Sequence, residues 1–461
     1  MSLRNDALRI WRAGVDAVNS SHAVSRAVTV QEDSLSIAGQ RFELSDVDHI
    51  EVVGAGKAGA GMAAGFEKAL QDSPWFDRLS GWVNVPSDCV RPLQKIHLHP
   101  GRPPGINEPT KEVIAGTNEI LRRVESLGSR DLCIVLLSGG ASALLCSPVD
   151  GITLEEKLQL TRLLSSSGAP IQELNLVRTQ LSNVKGGRLA QRCSAGHMIT
   201  LVISDVIGDP LDVIGSGPTF AANARPKDAM EVLQRRSLVG RTPDSVLTML
   251  QAMAERESHA SEFAASLSRA VPHVIVASNR IAIQRAGEEA ARLGYDVVEV
   301  LHDVKGDAAT QGRAVFRRLQ QLREEQRSSS GRNRRGLCVI GGGETTVNVA
   351  SASGPAGKGG RNQEFILAAL AAEPTPESWK AIALVSGGTD GEDGPTDAAG
   401  AFCDEAIAVS AATSLTPSAT ESLERHDSWT YWNQLNALIR TGPTHTNVMD
   451  VFVGVVANEP A

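Results

Sequence analysis

Three glycine-rich runs in the last third of the chain concentrate side chains that can bind anions and metals. They are Gly341-Gly342-Gly343-Glu344-Thr345-Thr346, Gly357-Lys358-Gly359-Gly360-Arg361-Asn362-Gln363-Glu364, and Ser386-Gly387-Gly388-Thr389-Asp390-Gly391-Glu392-Asp393-Gly394-Pro395-Thr396-Asp397. Successive backbone N–H groups in such runs can converge on one anion, because no Cβ blocks the approach. Lys358 and Arg361 add cations; Glu344, Asp390, Asp393 and Asp397 add carboxylates. Amides, cations and carboxylates together suit phosphate and a hard divalent metal. A single run of this kind is as often a solvated turn. Three in one chain favour a ligand site.

The first half repeats the theme. Ile50-Glu51-Val52-Val53 leads into Gly54-Ala55-Gly56-Lys57-Ala58-Gly59 and then a helix to about Ala69. Strand, glycine turn, helix is the layout of a phosphate-binding turn. The spacing Gly54-x-Gly56-x-x-Gly59 matches a dinucleotide fingerprint. Against that reading, the next strand, Gly81–Val85, has no ribose-binding acid at its end, only Asp88 nearby, and Lys57 places an ammonium inside the loop. No GxxxxGK[ST] sequence occurs. Leu132–Leu137 followed by Ser138-Gly139-Gly140-Ala141-Ser142 has the same layout. Ser138 lacks a sequence-evident base, so a backbone anion nest or a helix cap is favoured over a nucleophile. Asn175–Ala190 is expected to be one helix ended by glycines, with Arg178 and Lys185 on one face, meeting either an anion or solvent. Asp205 and Asp209 follow the strand Met198–Ile203, where a metal or a substrate hydroxyl would be met. His97 and His99 would share one face of a strand, but no third His or Cys ligand accompanies them.

These residues need elements to position them. Short apolar runs ending in glycines or polar residues, at 50–53, 81–85, 132–137, 198–203, 274–277, 296–300, 336–340, 381–385 and 451–456, read as buried strands with loops at their carboxyl ends. Open α/β sheets put ligands at that end. Leu8, Trp11 and Val15 are spaced for a helix, and a β-like stretch follows through Val28, Val30, Leu35 and Ile37. Residues 226–270 read as helices, and the polar stretch 321–335 as a loop ending in the basic cluster Arg332–Arg335. With 461 residues, two domains are expected, and 4% aromatics with 43 glycines predict aliphatic packing around tight turns. A net charge of −8 argues against nucleic acid as a partner. Six dispersed cysteines without a CxxC pair, no signal core and no membrane-length run predict a cytoplasmic protein.

As an ordered set, several of these motifs resemble the glycerate 2-kinases of the MOFRL type (class II glycerate kinases). They are Val53-Gly54-Ala55-Gly56-Lys57-Ala58, Leu137–Ser142, Leu176-Val177-Arg178 through Lys185-Gly186-Gly187, Ser204–Asp209, Gly341–Thr345, Gly359–Glu364 and Gly388–Gly391. The resemblance spans nearly the whole chain. It implies an α/β fold: a Rossmann-like doubly wound N-terminal domain over residues 1–270 and a smaller α/β MOFRL domain over 271–461, with the active site in the cleft between. The first forty or so residues are open to either domain. It implies transfer of the ATP γ-phosphoryl group to D-glycerate or a related hydroxy acid, with ATP and Mg²⁺ as cofactors, no nucleic acid or membrane partner, and homodimerisation left open.

On that basis Lys57 would neutralise the transferring group. Gly54, Gly56, Ser138, Gly139, Gly140, Ala141 and Ser142, with Lys185 and Asp209, would hold the nucleotide. Arg178 or Arg361 would clamp the carboxylate, Asp205 or Asp209 would orient the 2-hydroxyl or bind Mg²⁺, and Glu344 and Asp390 would be metal ligands. Two stretches depart from the family pattern. His99-Pro100-Gly101-Arg102-Pro103-Pro104 stands where the family shows His-Pro-x-Pro-Asp, and His445 and Met449 replace Gly and Asn near the end. Both bear on hydroxy-acid preference. The alternatives are an NAD(P)H-dependent hydroxypyruvate reductase, a label some relatives carry, and a non-catalytic sensor of nucleotide or sugar acid.

Overall fold

The computed structural model describes residues 2–221, 224–259, 270–327, 335–349, 357–414 and 417–458. They form two compact units, Ser20–Val276 and a second made of Met1–Asn19 with Ala277–Ala461.

The first unit opens with the short helix Ser20–Arg26, followed by a small antiparallel sheet of β1 (Val28–Gln31), β2 (Ser34–Ile37) and β3 (Gln40–Glu43). Its main sheet holds β4 (Ile50–Ala55), β5 (Leu79–Pro86), β6 (Ile96–Arg102), β7 (Leu132–Leu137), β8 (His197–Ile203) and β9 (His273–Ala277), in the order β6-β5-β4-β7-β8-β9. The pairings β4–β5, β4–β7, β5–β6 and β7–β8 are all parallel. Counted along the chain, this is the 3-2-1-4-5-6 order of the doubly wound nucleotide-binding sheet. β4 and β7 are buried along their whole length, as continuous apolar parallel strands must be. The order reverses between them, so the turns after β4 and β7 meet at the switch point where such sheets take ligands. Below the sheet, Val53, Val135 and Leu137 pack with Ile120 and Val124 of the helix Lys111–Glu125.

The second unit holds β10 (Tyr295–Asp307), β11 (Gly336–Thr346), β12 (Ile382–Gly388), β13 (Gly400–Asp404), β14 (Leu438–Ile439) and β15 (Asp450–Ala457), in the order β10-β11-β15-β12-β13-β14. β10 and β11 are parallel; the other pairs are antiparallel. The helix Leu3–Ala17 belongs here. Trp11 is buried against Gly387, 2.8 Å from where a Cβ on that glycine would lie, and its Nε1 donates to the Gly387 carbonyl at 3.3 Å.

Two sequence expectations change. Gly341, Gly342 and Gly343 are not a loop; they lie inside β11. A Cβ on Gly341 would overlap the Phe452 ring, and one on Gly342 would sit 2.5 Å from Oδ1 of Asn279, so these glycines serve close packing. The helix Ala308–Arg327 covers the start of the expected polar loop, while Arg332–Arg334 lie outside the described residues. Arg335 pairs with buried Asp6 at 2.6 Å. The expected helical region 226–270 contains Pro226–Arg235 and Asp244–His259, and its last part lies outside the described residues. No described helix is long and apolar enough to cross a membrane, and all six cysteines are free thiols.

Candidate active site

The turns after β4 and β7 are tied together by main-chain and hydroxyl contacts. Lys57 N donates to the Gly139 carbonyl at 2.8 Å, and Ala58 N donates to Ser138 Oγ at 3.0 Å. Ser138 is therefore a buckle between the turns and not a helix cap; the four-residue helix Ala141–Leu144 is capped by Gly140, in the left-handed region at φ 78°. Gly54 and Gly56 are required by crowding. A Cβ on Gly54 would overlap the Leu136 carbonyl, and one on Gly56 would overlap Ser138 Oγ. The Lys57 side chain is exposed and lies along Gly140, whose Cβ position is 3.2 Å from Lys57 Cγ and 3.5 Å from Arg102 Nη2. Asp205, after β8, presses its carboxylate onto Gly139, where any Cβ would collide with it. Asp209 follows in the same loop with φ 53°, a conformation Asp adopts more readily than most residues. One amide turn, one exposed ammonium and one carboxylate thus converge at the carboxyl ends of β4, β7 and β8.

Arg178 and Lys185 do not share a helix face. The helix Ile171–Gln180 stops before Lys185, and a separate short helix, Arg188–Arg192, follows the glycines. Both cations instead converge on Ser142: Arg178 Nη2 donates to its Oγ at 2.7 Å, and Lys185 Nζ donates to it at 2.9 Å. Lys185 is fully buried and also lies 3.2 Å from the carbonyls of Ser142 and Gly215 and 3.4 Å from Ser216 Oγ. Burial, with Arg178 and Lys157 nearby, holds its ammonium well below the ordinary lysine value. Burial likewise lowers Arg178. Among the described residues no carboxylate makes an ion pair with either cation. Such an arrangement fixes Ser142 and gives its turn a positive potential.

In the second unit the centre is Asp450, the first residue of β15, flanked in register by Gly343 and Gly388. Arg361 opens the helix Arg361–Ala372 and grips Asp450 with Nε to Oδ2 at 2.6 Å and Nη2 to Oδ1 at 3.1 Å; its Nη1 reaches Glu344 Oε1 at 2.9 Å. Burial acts to lower this guanidinium, but Asp450 and Glu344 outweigh it and its pKa rises. Two of its five N–H donors make no protein contact among the described residues, which leaves part of the fork for a ligand oxygen. Asp393 accepts from the first helical amides, Asn362 N at 3.0 Å and Gln363 N at 2.8 Å. Burial pushes its carboxyl up to about 7. Asp390 is also raised, by burial first and by the charge of Asp450, against the hydrogen bond that it accepts from the Glu392 amide.

Glu344 and Asp390 therefore lie around one arginine–aspartate pair. Among the described residues, no group of three or more His, Cys, Asp or Glu side chains is placed to hold a metal unaided. Two carboxylates completed by phosphate oxygens and water is the usual setting for Mg²⁺, and this donor set fits it. His97 and His99 are not ligands to anything described. Their rings lie 4.2 and 5.1 Å from that of Trp82, and His99 Nε2 contacts the Glu112 carbonyl at 2.8 Å. Sequence reasoning missed Asp450 and Arg102. The signal for Arg102 was present, since it lies in one of the two departures from the family pattern.

A doubly wound sheet with a lysine-bearing amide turn at its switch point, joined in one chain to an acid-rich α/β unit, defines a nucleotide- or phosphate-handling α/β protein. Residues 6–251 match the family model described as a domain of unknown function, DUF4147, and residues 337–450 match that of the MOFRL family. The chain is 32% identical to the glycerate kinase of Homo sapiens, over 98% of this chain and 93% of that one. It is 32% identical to the glycerate 2-kinase of Pyrococcus horikoshii, over 100% and 98% of the two chains. The crystal structure of glycerate kinase from Thermotoga maritima superposes with a TM-score of 0.81 at 29% identity, over 98% of this chain and 99% of that one. The chain belongs to the glycerate kinase family, with a DUF4147 domain followed by a MOFRL domain.

Proposed function

We propose that the protein is an ATP-dependent glycerate 2-kinase. The 2-hydroxyl oxygen of D-glycerate attacks the γ-phosphorus of ATP, the bond to the β-phosphate oxygen breaks, and 2-phosphoglycerate and ADP form. The observation that carries this reading is the Lys57 ammonium lying along the Gly139–Gly140 turn with the Asp205 carboxylate pressed on the same glycine. Phosphoryl transfer needs charge neutralisation and alignment more than covalent chemistry. Lys57 supplies a mobile cation for the transferring group. The amides of Gly139, Gly140 and Ser142, backed by buried Lys185 and Arg178, take the phosphate chain, while the Ala141 amide is held within the turn by the Ser138 carbonyl. Asp205, or Asp209 in the same loop, receives the hydroxyl proton. Arg178 holds the substrate carboxylate, and in the second unit the free part of the Arg361 fork is the alternative carboxylate clamp. In the second unit, Glu344 and Asp390 would hold Mg²⁺, which when bound supplies positive charge.

Kinase names on relatives matched over 93% and 98% of their length support this reading over hydroxypyruvate reduction. The test is ADP release on mixing ATP, Mg²⁺ and D-glycerate, with the product resolved as the 2- or the 3-phosphate. ADP with 2-phosphoglycerate is expected. Formation of the 3-phosphate would correct the regiochemistry, and oxidation of NADH by hydroxypyruvate without any ADP release would replace the kinase reading.

A further inference from the structure

Arg102 is the last residue of β6 and only 3% exposed, yet its guanidinium makes no hydrogen bond and no ion pair among the described residues. Its Nε is buried without a partner. Asp88 acts on it only from beyond ion-pair distance. A buried charge left without a partner is costly to the fold, and such a group is retained where it meets something else. Its Nη2 lies 3.5 Å from the Cβ position of Gly140, which is in turn 3.2 Å from Lys57 Cγ. Two cationic side chains, one from the turn after β4 and one from the end of β6, therefore flank one left-handed glycine at the switch point. A lone anionic oxygen needs only one cation; a phosphate carrying two charges, with three oxygens, suits a pair.

We propose that Arg102 is a second phosphate-binding cation, acting with Lys57 and the Gly140 turn on the polyphosphate chain of the nucleotide. The guanidinium offers a planar fork to two oxygens of one phosphate, and Lys57 remains the mobile point charge. This deepens the kinase reading and rests on it for the identity of the natural ligand. Pro103, directly after Arg102, restricts the backbone at the end of β6.

The experiment measures binding of inorganic tripolyphosphate to the full chain by calorimetry, together with the melting temperature of the ligand-free protein. Arg102→Met is expected to weaken tripolyphosphate at least tenfold while melting at the same or a higher temperature, because an unpartnered buried charge has been removed. Arg102→Lys should recover part of the affinity. Equal affinity in wild type and Arg102→Met, or no binding by wild type, would overturn the proposal. So would a clear fall in melting temperature in Arg102→Met, which would make the side chain structural. Arg102-dependent tripolyphosphate binding without ADP release from ATP and D-glycerate would remove the kinase reading and leave the cation pair standing.

Discussion

Lys57 is exposed and contributes little to packing, so its removal should affect chemistry alone. Lys57→Met is expected to lower kcat by about two to three orders of magnitude, the usual cost of losing one preorganised charge-stabilising group, with an unchanged melting temperature. A steady-state assay beside a thermal melt checks both halves. Gly139→Ala tests a different contact: its methyl would displace the Asp205 carboxylate, so kcat should fall steeply while stability changes little, since a carboxylate end can move aside. Asp393 bears on pH. Its carboxyl is pushed up to about 7, by burial first, against hydrogen bonds from Asn362 and with Asp450 acting in the same direction as burial. A folded-state value above the unfolded one means the native state keeps a proton that the unfolded chain releases. Stability from this group is therefore present below about pH 4 and declines as pH rises through the window to about 7, by a few kcal/mol. Carbon-13 titration of the Asp393 carboxyl should show a midpoint near the top of that window; one near pH 4 would show a carboxylate already charged on its helix N-terminus.

At the scale of elements, the helix Leu3–Ala17 is held by a few anchors of different chemistry. Trp11 packs on Gly387, Arg4 pairs with Asp404 at 2.6 Å, and the Tyr295 hydroxyl donates to buried Asp6 at 2.8 Å. Trp11→Ala is expected to destabilise the second unit by about 3–5 kcal/mol, read as a shift in denaturant midpoint. Gly387 is coupled to it, because a Cβ there would meet the indole at 2.8 Å. The strands that carry the site were legible in the sequence, since Ile50–Val53, Leu132–Leu137 and Met198–Ile203 are apolar runs with no competing helical period. The meaning of Gly341–Gly343 was not. Glycine marks both a flexible turn and a place where two backbones or a ring come close, and only the partner tells them apart. Here the partners are Phe452, Asn279 and Val304, remote in sequence. The break between Arg178 and Lys185 was hidden for the same reason: the Pro148–Ser182 bridge that turns the chain there is a tertiary contact.

For the whole molecule, composition predicted an acidic two-part α/β protein, and its net charge of −8 makes the local cation clusters necessary for any anionic ligand. Which part takes the first helix could not be read, because an apolar stripe specifies a face and not a partner. It joins Ala277–Ala461. A fragment beginning at residue 277 is therefore expected to be less stable than the same fragment with residues 2–19 attached by a flexible linker, measured by urea unfolding; equal midpoints would show the helix to be dispensable. The same arrangement has a consequence during synthesis. The helix Leu3–Ala17 docks on Gly387 of β12 and on β15, both of which are synthesised long after it. At about 5–20 residues per second that is an interval of about 20–90 s. Throughout it Trp11 has no seat, while Ser20–Val276 is already complete, so the growing chain carries an oily, unclaimed helix that stays open to chaperones or to aggregation until those strands emerge.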